Sequence, residues 1–297
     1  MGAINHKNTF TRPHQPMNNN PVHIVTGATG GIGSAIVDRL IESGVSHIVL
    51  ACRNQDRAKA MIDRLSPCNV TLTAMQLDLE SFYSVINFVM SIRERDMAVD
   101  TIFNNAGTMP GTMKLTADGY ESATQTNFLS TALLTQMLLP RIINGGAIVF
   151  TTSMTRHIAK LRTDWKQHAT THHNRFTTYG RSKLMLTHYA LDLARELAPR
   201  GIRVNCSDPG IVDSGIITLG NRVIDMLSDK FFRPLISTPA QGAAPALNAA
   251  GTQLTGQIFT LNHCTPIPES YLRNPLHSIA SEAVNDALAI STSEAMP

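Results

Sequence analysis

Charge is scarce in this chain. Asp, Glu, Lys and Arg make up 16% of its 297 residues, the formal net charge is +3, and no run of like charges marks a basic patch. Nucleic-acid binders carry a clustered positive surface, so this composition offers no case for one. Cysteine is sparse too. Cys52, Cys68, Cys206 and Cys264 stand far apart, without the spacing of a metal site or a disulfide framework, and fit the reduced thiols of a cytoplasmic protein. No segment approaches the roughly eighteen consecutive apolar residues that suggest a membrane span. Residues 1–20 are rich in Asn, His and Pro and hold no apolar run. They cannot act as a secretory signal, which needs an apolar centre, and they read as a disordered leader. With 43% hydrophobic residues, what remains is a soluble globular chain able to bury one large core or two small ones.

The first structured stretch is an apolar, β-branched run at Val22–Thr26, which leads directly into Gly27-Ala28-Thr29-Gly30-Gly31-Ile32-Gly33. Ile36, Val37, Leu40 and Ile41 follow at helical spacing, with a stop near Gly44, and His47–Ala51 is a second short strand. Strand, glycine turn, helix and strand make one βαβ unit. Glycines let the backbone approach a pyrophosphate closely, and a helix N-terminus directs N–H donors at its charge. The glycines fit GxxxGxG through Gly27, Gly31 and Gly33, and equally GxxGxxG through Gly27, Gly30 and Gly33. The turn alone does not choose between them.

The second strand ends in Ala51-Cys52-Arg53-Asn54, where NAD-specific sites carry an acid that accepts from the ribose hydroxyls. That acid is missing here. Arg53 reads either as a partner for a 2′-phosphate or as a solvated loop arginine.

The alternation continues. Ala58, Met61, Ile62 and Leu65 share a helical face; Val70–Leu77 reads as a strand with Asp78-Leu79 at its end. Ser81 is placed to cap a helix that buries Phe82, Val85, Ile86, Val89 and Ile92. Asp100–Phe103 is a strand entering Asn104-Asn105-Ala106-Gly107. A long helix then carries Asn127 and ends near Pro140, Ala147–Thr152 is a strand with Ser153 at its end, a helix spans Tyr179–Leu197, and Arg203–Ser207 leads to Asp208-Pro209-Gly210. Strands alternating with helices predict an α/β fold, a Rossmann-type doubly wound parallel sheet with helices on both faces, in one domain over 21–262. The residues able to do chemistry fall at C-terminal strand ends, where open α/β sheets bind ligands.

Tyr179 precedes Lys183 by four residues, which puts both side chains on one helical face. An ammonium beside a phenol stabilises the phenolate and lowers its pKa towards neutrality, which suits it to proton transfer. Alone, YxxxK is a weak signal, since most such pairs are solvated surface residues.

Taken in order, TGATGGIG, ACRN, DLES, NNAG, Asn127, TTS, YGRSK and DPG resemble the motif series of the short-chain dehydrogenase/reductase family over about Pro21–Thr260. Within it, ACRN and the SKL after the tyrosine are similar to the retinol dehydrogenase and protochlorophyllide reductase group. The resemblance implies NADP(H) as preferred coenzyme, with NAD(H) second. It places Thr26, Gly27, Thr29, Gly30, Gly31, Ile32 and Gly33 at the phosphates, with Arg53 and Asn54 selecting NADP. Asp78 and Leu79 fall to the adenine, and Asn105, Ala106 and Gly107 to the ribose. Pro209, Gly210 and Ile211 match the nicotinamide-side turn, and Ser214 the carboxamide contact. Ser153, Tyr179, Lys183 and Asn127 match the catalytic tetrad, Asn127 supporting a water relay. The implied reaction is hydride transfer to or from a small-molecule carbonyl or alcohol. Reduction of a C=C bond and a coenzyme-binding regulator without turnover are the alternatives, and pairing into a homo-oligomer is open. The plainer alternatives are a helix cap for Asp78 and a satisfied buried amide for Asn127.

Two departures stand out. Asp208 occupies a position that is often uncharged in the family. The gap Met154–Thr178 is long, and its two ends are pinned near the active site, so it is expected to fold over the substrate pocket as a mobile lid anchored by Trp165. Its His168, His172 and His173 have no Cys or carboxylate cluster beside them, and no metal is expected. Residues 263–297 match no pattern.

Overall fold

The computed structural model of the chain describes residues 20–210 and 237–294. The expected leader at 1–20 lies almost wholly outside them, as do Ile211 and Ser214. Eight strands form one sheet in the order β3-β2-β1-β4-β5-β6-β7-β8: β1 Val22–Thr26, β2 His47–Cys52, β3 Thr71–Gln76, β4 Val99–Asn104, β5 Ile142–Thr151, β6 Arg203–Ser207, β7 Gln257–Phe259 and β8 Cys264–Pro266. All neighbours run parallel except β7 and β8. The order reverses between β1 and β4, which opens a crevice above their C-terminal ends.

Side chains alternate across the sheet, as the pleat requires. On one face Ile24, Val49, Ile102, Ile148 and Phe150 meet helices α3 Phe82–Glu94, α5 Ser130–Leu138 and α7 Arg175–Glu196. On the other, Val25, Ile48, Leu50, Phe103 and Val149 meet α1 Gly31–Glu42, α2 Gln55–Leu65 and a helix over Pro239–Gly251, here α8. A strand buried on both faces reads as continuously apolar, which is why these runs were conspicuous.

Three local expectations are corrected. Strand β5 starts at Ile142, five residues before the expected Ala147, and its pairing with β4 shifts register between Val99 and Thr101. Gly145 has φ +78°, and a Cβ on Gly146 would lie 2.6 Å from the Asp100 carbonyl oxygen, so this irregularity requires glycine. Helix α7 starts at Arg175, because the Asn174 side chain accepts from the N–H groups of Phe176 and Thr177. Tyr179 therefore sits a full turn inside the helix rather than at its start. The long helix through Asn127 is interrupted: α4 Ser122–Thr124 passes through a π turn at Gln125–Leu129 into α5.

Trp165 does not anchor the Met154–Thr178 segment over the pocket, although Met154, Thr155 and Phe176 of that segment line it. The segment contains a 3-10 turn at Met154–Ile158 and a short helix, α6 Trp165–Thr171. Trp165 and Leu161 are buried in the main core, and the Trp165 ring stacks on Tyr120 at 6.3 Å between centroids. The indole is drawn away from the pocket by an aromatic partner 45 residues upstream, which local pattern does not show. The C-terminal residues contribute β8 and a final helix, α9 Ser278–Glu294. Its Ile279, Ala280, Ala283, Val284 and Ala287 join the core beside α3, α5 and α7.

Candidate active site

The glycine turn leaves β1 with Gly27 at φ +65°, tied back by Gly27 N–H to the Ala51 carbonyl at 2.8 Å. A Cβ on Gly33 would stand 2.2 Å from the Gly27 carbonyl oxygen. Gly27 and Gly33, shared by both glycine spacings, are thus the positions that geometry demands. Gly30 begins α1 with no side-chain cap, and no acid sits in its first turn. The first N–H groups of α1 are left as donors for an anion beside a backbone bare of side chains, which fits a pyrophosphate.

This turn forms the middle of a cleft of about 500 Å³. Asn105, Ala106 and Gly107 form its opposite wall, braced from behind by Thr26. The Thr26 hydroxyl donates to the Phe103 carbonyl at 3.2 Å and accepts the N–H groups of Asn105 and Ala106, both at 3.0 Å. Thr26 is buried and stands behind the wall, while Thr29, Gly30, Gly31 and Ile32 line the cleft.

At one end lie Arg53, Asn54, Asp78 and Leu79. The Asn54 side chain caps α2 by accepting from Arg57 N–H at 2.8 Å. Asp78 is not a helix cap. Its carboxylate accepts from Glu80 N–H at 2.9 Å, and Ser81 caps α3. Arg57, which the sequence reading did not single out, also faces this end. Its only sequence signal was the four-residue interval from Arg53 across the cap of α2.

At the other end Ser153, Tyr179 and Lys183 converge with Pro209 and Gly210. Ser153 Oγ accepts from the Thr155 hydroxyl at 3.1 Å and forms a hydrogen bond with the Tyr179 phenol. The expected lowering of the Tyr179 pKa by Lys183 is not what this chain shows. Protein encloses the phenol on all but its cleft side, and this desolvation pushes it up to about 12; the Ser153 hydrogen bond opposes the rise and the Asp208 charge adds to it. Lys183 Nζ stands 5.7 Å from the centroid of the Tyr179 ring and donates to the Thr151 carbonyl at 2.7 Å. Burial lowers the ammonium to about 8, against the pull of Cys206 and Asp208.

Asn127 sits in the π turn, 1% exposed. Its Oδ1 accepts from Thr108 N–H at 2.8 Å, and its Nδ2 donates to the Thr108 carbonyl at 2.9 Å and to Ser182 Oγ at 3.1 Å. It stitches the loop after Asn105–Gly107 to the helix carrying Tyr179. A Cβ on Gly107 would lie 3.2 Å from Asn127 Oδ1 and 3.4 Å from Lys183 Nζ, so a bare backbone there gives both side chains room.

The mouth beside Tyr179 is apolar, with Met109, Met154 and Phe176. Arg156 was also missed; it forms a buried ion pair with Asp208 at 2.6 Å. Its signal was the unusual acid before Pro209. His168 and His172 stack on one another, and among the described residues no group of three or more His, Cys, Asp or Glu is placed to hold a metal.

Residues 21–221 match the family model described as short chain dehydrogenase. Polyprenol dehydrogenase of Homo sapiens is 29% identical over 82% of this chain and 76% of its own length. Retinol dehydrogenase 13 of Homo sapiens is 30% identical over 83% of this chain and 78% of its own. Among solved structures, a blue fluorescent protein from a metagenomic library in complex with NADPH is 25% identical. That likeness covers 82% of this chain and 96% of that one, with a TM-score of 0.65.

Proposed function

Since the chain belongs to the short-chain dehydrogenase family of oxidoreductases, we propose that it uses NADP(H) to interconvert a carbonyl and an alcohol, with Tyr179 as the general acid and base. The observation that carries this reading is the meeting of Ser153, Tyr179 and Lys183 at one end of a cleft. Its middle is the glycine turn and its far end holds Arg53. Bound along that cleft, the coenzyme supplies or accepts the hydride.

The protein's own residues handle the oxygen. In reduction, Ser153 Oγ donates a hydrogen bond to the substrate carbonyl, and Tyr179 Oη gives up its proton as negative charge develops there. A phenol with a pKa of about 12 arrives protonated at neutral pH, ready to act as acid. Lys183 Nζ, tied to the Thr151 carbonyl and 5.7 Å from the ring centroid, then offers a positive charge to the phenolate that remains. Asn127 keeps the loop at Thr108 and the helix at Ser182 in register. Arg53 and Arg57 favour the 2′-phosphate of NADP(H) over NAD(H).

Met109, Met154 and Phe176 around the mouth support a substrate whose carbonyl carries an apolar group. The names of the polyprenol and retinol dehydrogenases point the same way. No helix among the described residues is long and apolar enough to cross a membrane. NADPH consumption against a panel of apolar aldehydes, ketones and enones tests the proposal. Turnover of carbonyls, with the C=C bond of the enones left intact, is expected; exclusive reduction of that bond would overturn it.

A further inference from the structure

Ser153 is followed by the 3-10 turn Met154–Ile158, whose Arg156 side chain reaches the end of β6. Arg156 Nη1 donates at once to the Ser153 carbonyl, at 2.8 Å, and to Asp208 Oδ2, at 2.6 Å. The other carboxylate oxygen, Oδ1, accepts from Gly210 N–H at 3.2 Å, and Asp208 N–H is anchored on the Phe259 carbonyl at 2.7 Å. One guanidinium nitrogen therefore links the end of β5, which carries the serine, to the Pro209–Gly210 turn after β6. Both side chains are more than nine-tenths buried.

The turn that carries Arg156 is itself clamped to the helix of the tyrosine. A Cβ on Gly180 would lie 2.5 Å from the Thr155 carbonyl oxygen, so the two backbones touch one residue after Tyr179. Arg156 donates to the Tyr271 phenol oxygen, and the Tyr271 ring stacks on His188 of α7 at 4.3 Å. Stripping water from two charges is costly, and apolar residues of the same volume often stabilise a fold as well or better. What apolar residues cannot supply is a directed bridge between two backbone segments.

Resting on the oxidoreductase reading above, we propose that Arg156 and Asp208 form a positioning pair. It fixes Ser153 relative to the Pro209–Gly210 turn and so aligns the substrate oxygen with the nicotinamide. Neither residue touches the reacting atoms; each acts through the backbone it holds. Such pairs matter because displacement of a reacting group by about 1 Å can cost about a hundredfold in rate. Asp208 has a second effect that a plain strut would lack. Tyr179 faces Ser153, Lys183 and the Asp208 charge, and that charge helps to keep the phenol protonated.

Three full-length variants, Asp208→Asn, Arg156→Met and the double variant, test the pair. Each is assayed with NADPH and a carbonyl that the wild-type chain reduces. Asp208→Asn, nearly isosteric, leaves Arg156 buried without its counter-charge, so its melting temperature should fall, but it should still fold and change NADPH affinity less than about threefold. Its kcat should fall about tenfold or more, and the alkaline limb of its kcat profile should move to lower pH. The double variant should be no worse than the weaker single variant, because the pair acts as a unit. If Arg156→Met does not fold, with Asp208 left buried and unpaired, Asp208→Asn decides alone. A folded Asp208→Asn with unchanged kcat and pH profile, beside an active wild type, overturns this inference and leaves the oxidoreductase reading intact. A wild-type chain that reduces no carbonyl overturns both.

Discussion

Lys183 Nζ donates to the carbonyl oxygen of Thr151 at 2.7 Å, which fixes the one ammonium of the YGRSK motif to the end of β5, two residues before Ser153. Burial holds that ammonium near 8 instead of 10.5, so the fold bears a cost of about 3 kcal/mol for keeping it charged at neutral pH. Lys183→Met removes this cost but orphans a buried carbonyl, worth about 1–3 kcal/mol. The two nearly cancel. Urea unfolding should place the variant within about 1 kcal/mol of wild type, while turnover falls by about two orders of magnitude or more. Loss of activity together with a large loss of stability would instead mark Lys183 as structural.

Arg53 and Arg57 should set the coenzyme preference. A charge-assisted pair with a 2′-phosphate is worth about 1.5–3 kcal/mol. Arg53→Ala should therefore weaken NADPH binding about tenfold to a hundredfold and leave NADH binding little changed; adding Arg57→Ala should erase the remaining preference. Fluorescence titration of both coenzymes measures this. Equal weakening of both would show that Arg53 is only a surface residue.

Thr26→Val removes the hydroxyl that braces Asn105 and Ala106 while preserving shape. It should cost about 1–3 kcal/mol of stability, since a donor and two acceptances are lost in a buried place. NADPH affinity should also fall several-fold, because the wall at Asn105–Gly107 loses its support. Thr26→Ser should recover most of both. Chemical denaturation and coenzyme titration, run side by side, check the pairing of effects.

Acid should loosen the C-terminal helix. His188 is buried beside His277, whose Nε2 meets Asp192 at 2.7 Å, and burial followed by the His277 charge lowers the His188 pKa from 6.5 to about 4. The unfolded chain then binds more protons than the folded one between pH 6.5 and 4. Stability should be flat above 6.5 and drop through that window, by about 3 kcal/mol at most. In His188→Asn the drop should shrink markedly. A melting temperature that follows the same pH curve in both proteins would remove His188 from the explanation.

Much of this fold was legible because its strands are buried on both faces and its helices on one, so pattern and burial coincide. Val22–Thr26 and the run Ile36, Val37, Leu40 announced the first βαβ unit, and the strand ends carried Gly27, Asp78, Asn105 and Ser153 into one cleft. Position failed where tertiary contacts decide. Nothing near Trp165 pointed to Tyr120 as its stacking partner. Helix α9 buries mainly alanines, Ala280, Ala283 and Ala287, which contrast too little with their neighbours to show an apolar stripe. Arg57 sits among the polar residues of α2 and looks solvated. The raised pKa of Tyr179 is hidden for a similar reason: spacing places Lys183 beside the ring, but the burial that pushes the phenol up exists only in the enclosed site.

The most direct measurement is single-turnover reduction by Tyr179→Phe, alongside NADPH titration of the same preparation. The phenyl ring keeps the shape of the cleft and loses the proton. Coenzyme affinity should stay within about threefold of wild type, while the chemical step slows by about two to four orders of magnitude, the range for losing a general acid. A chemical step as fast as wild type, with NADPH bound normally, would contradict the assignment of Tyr179 as the proton donor.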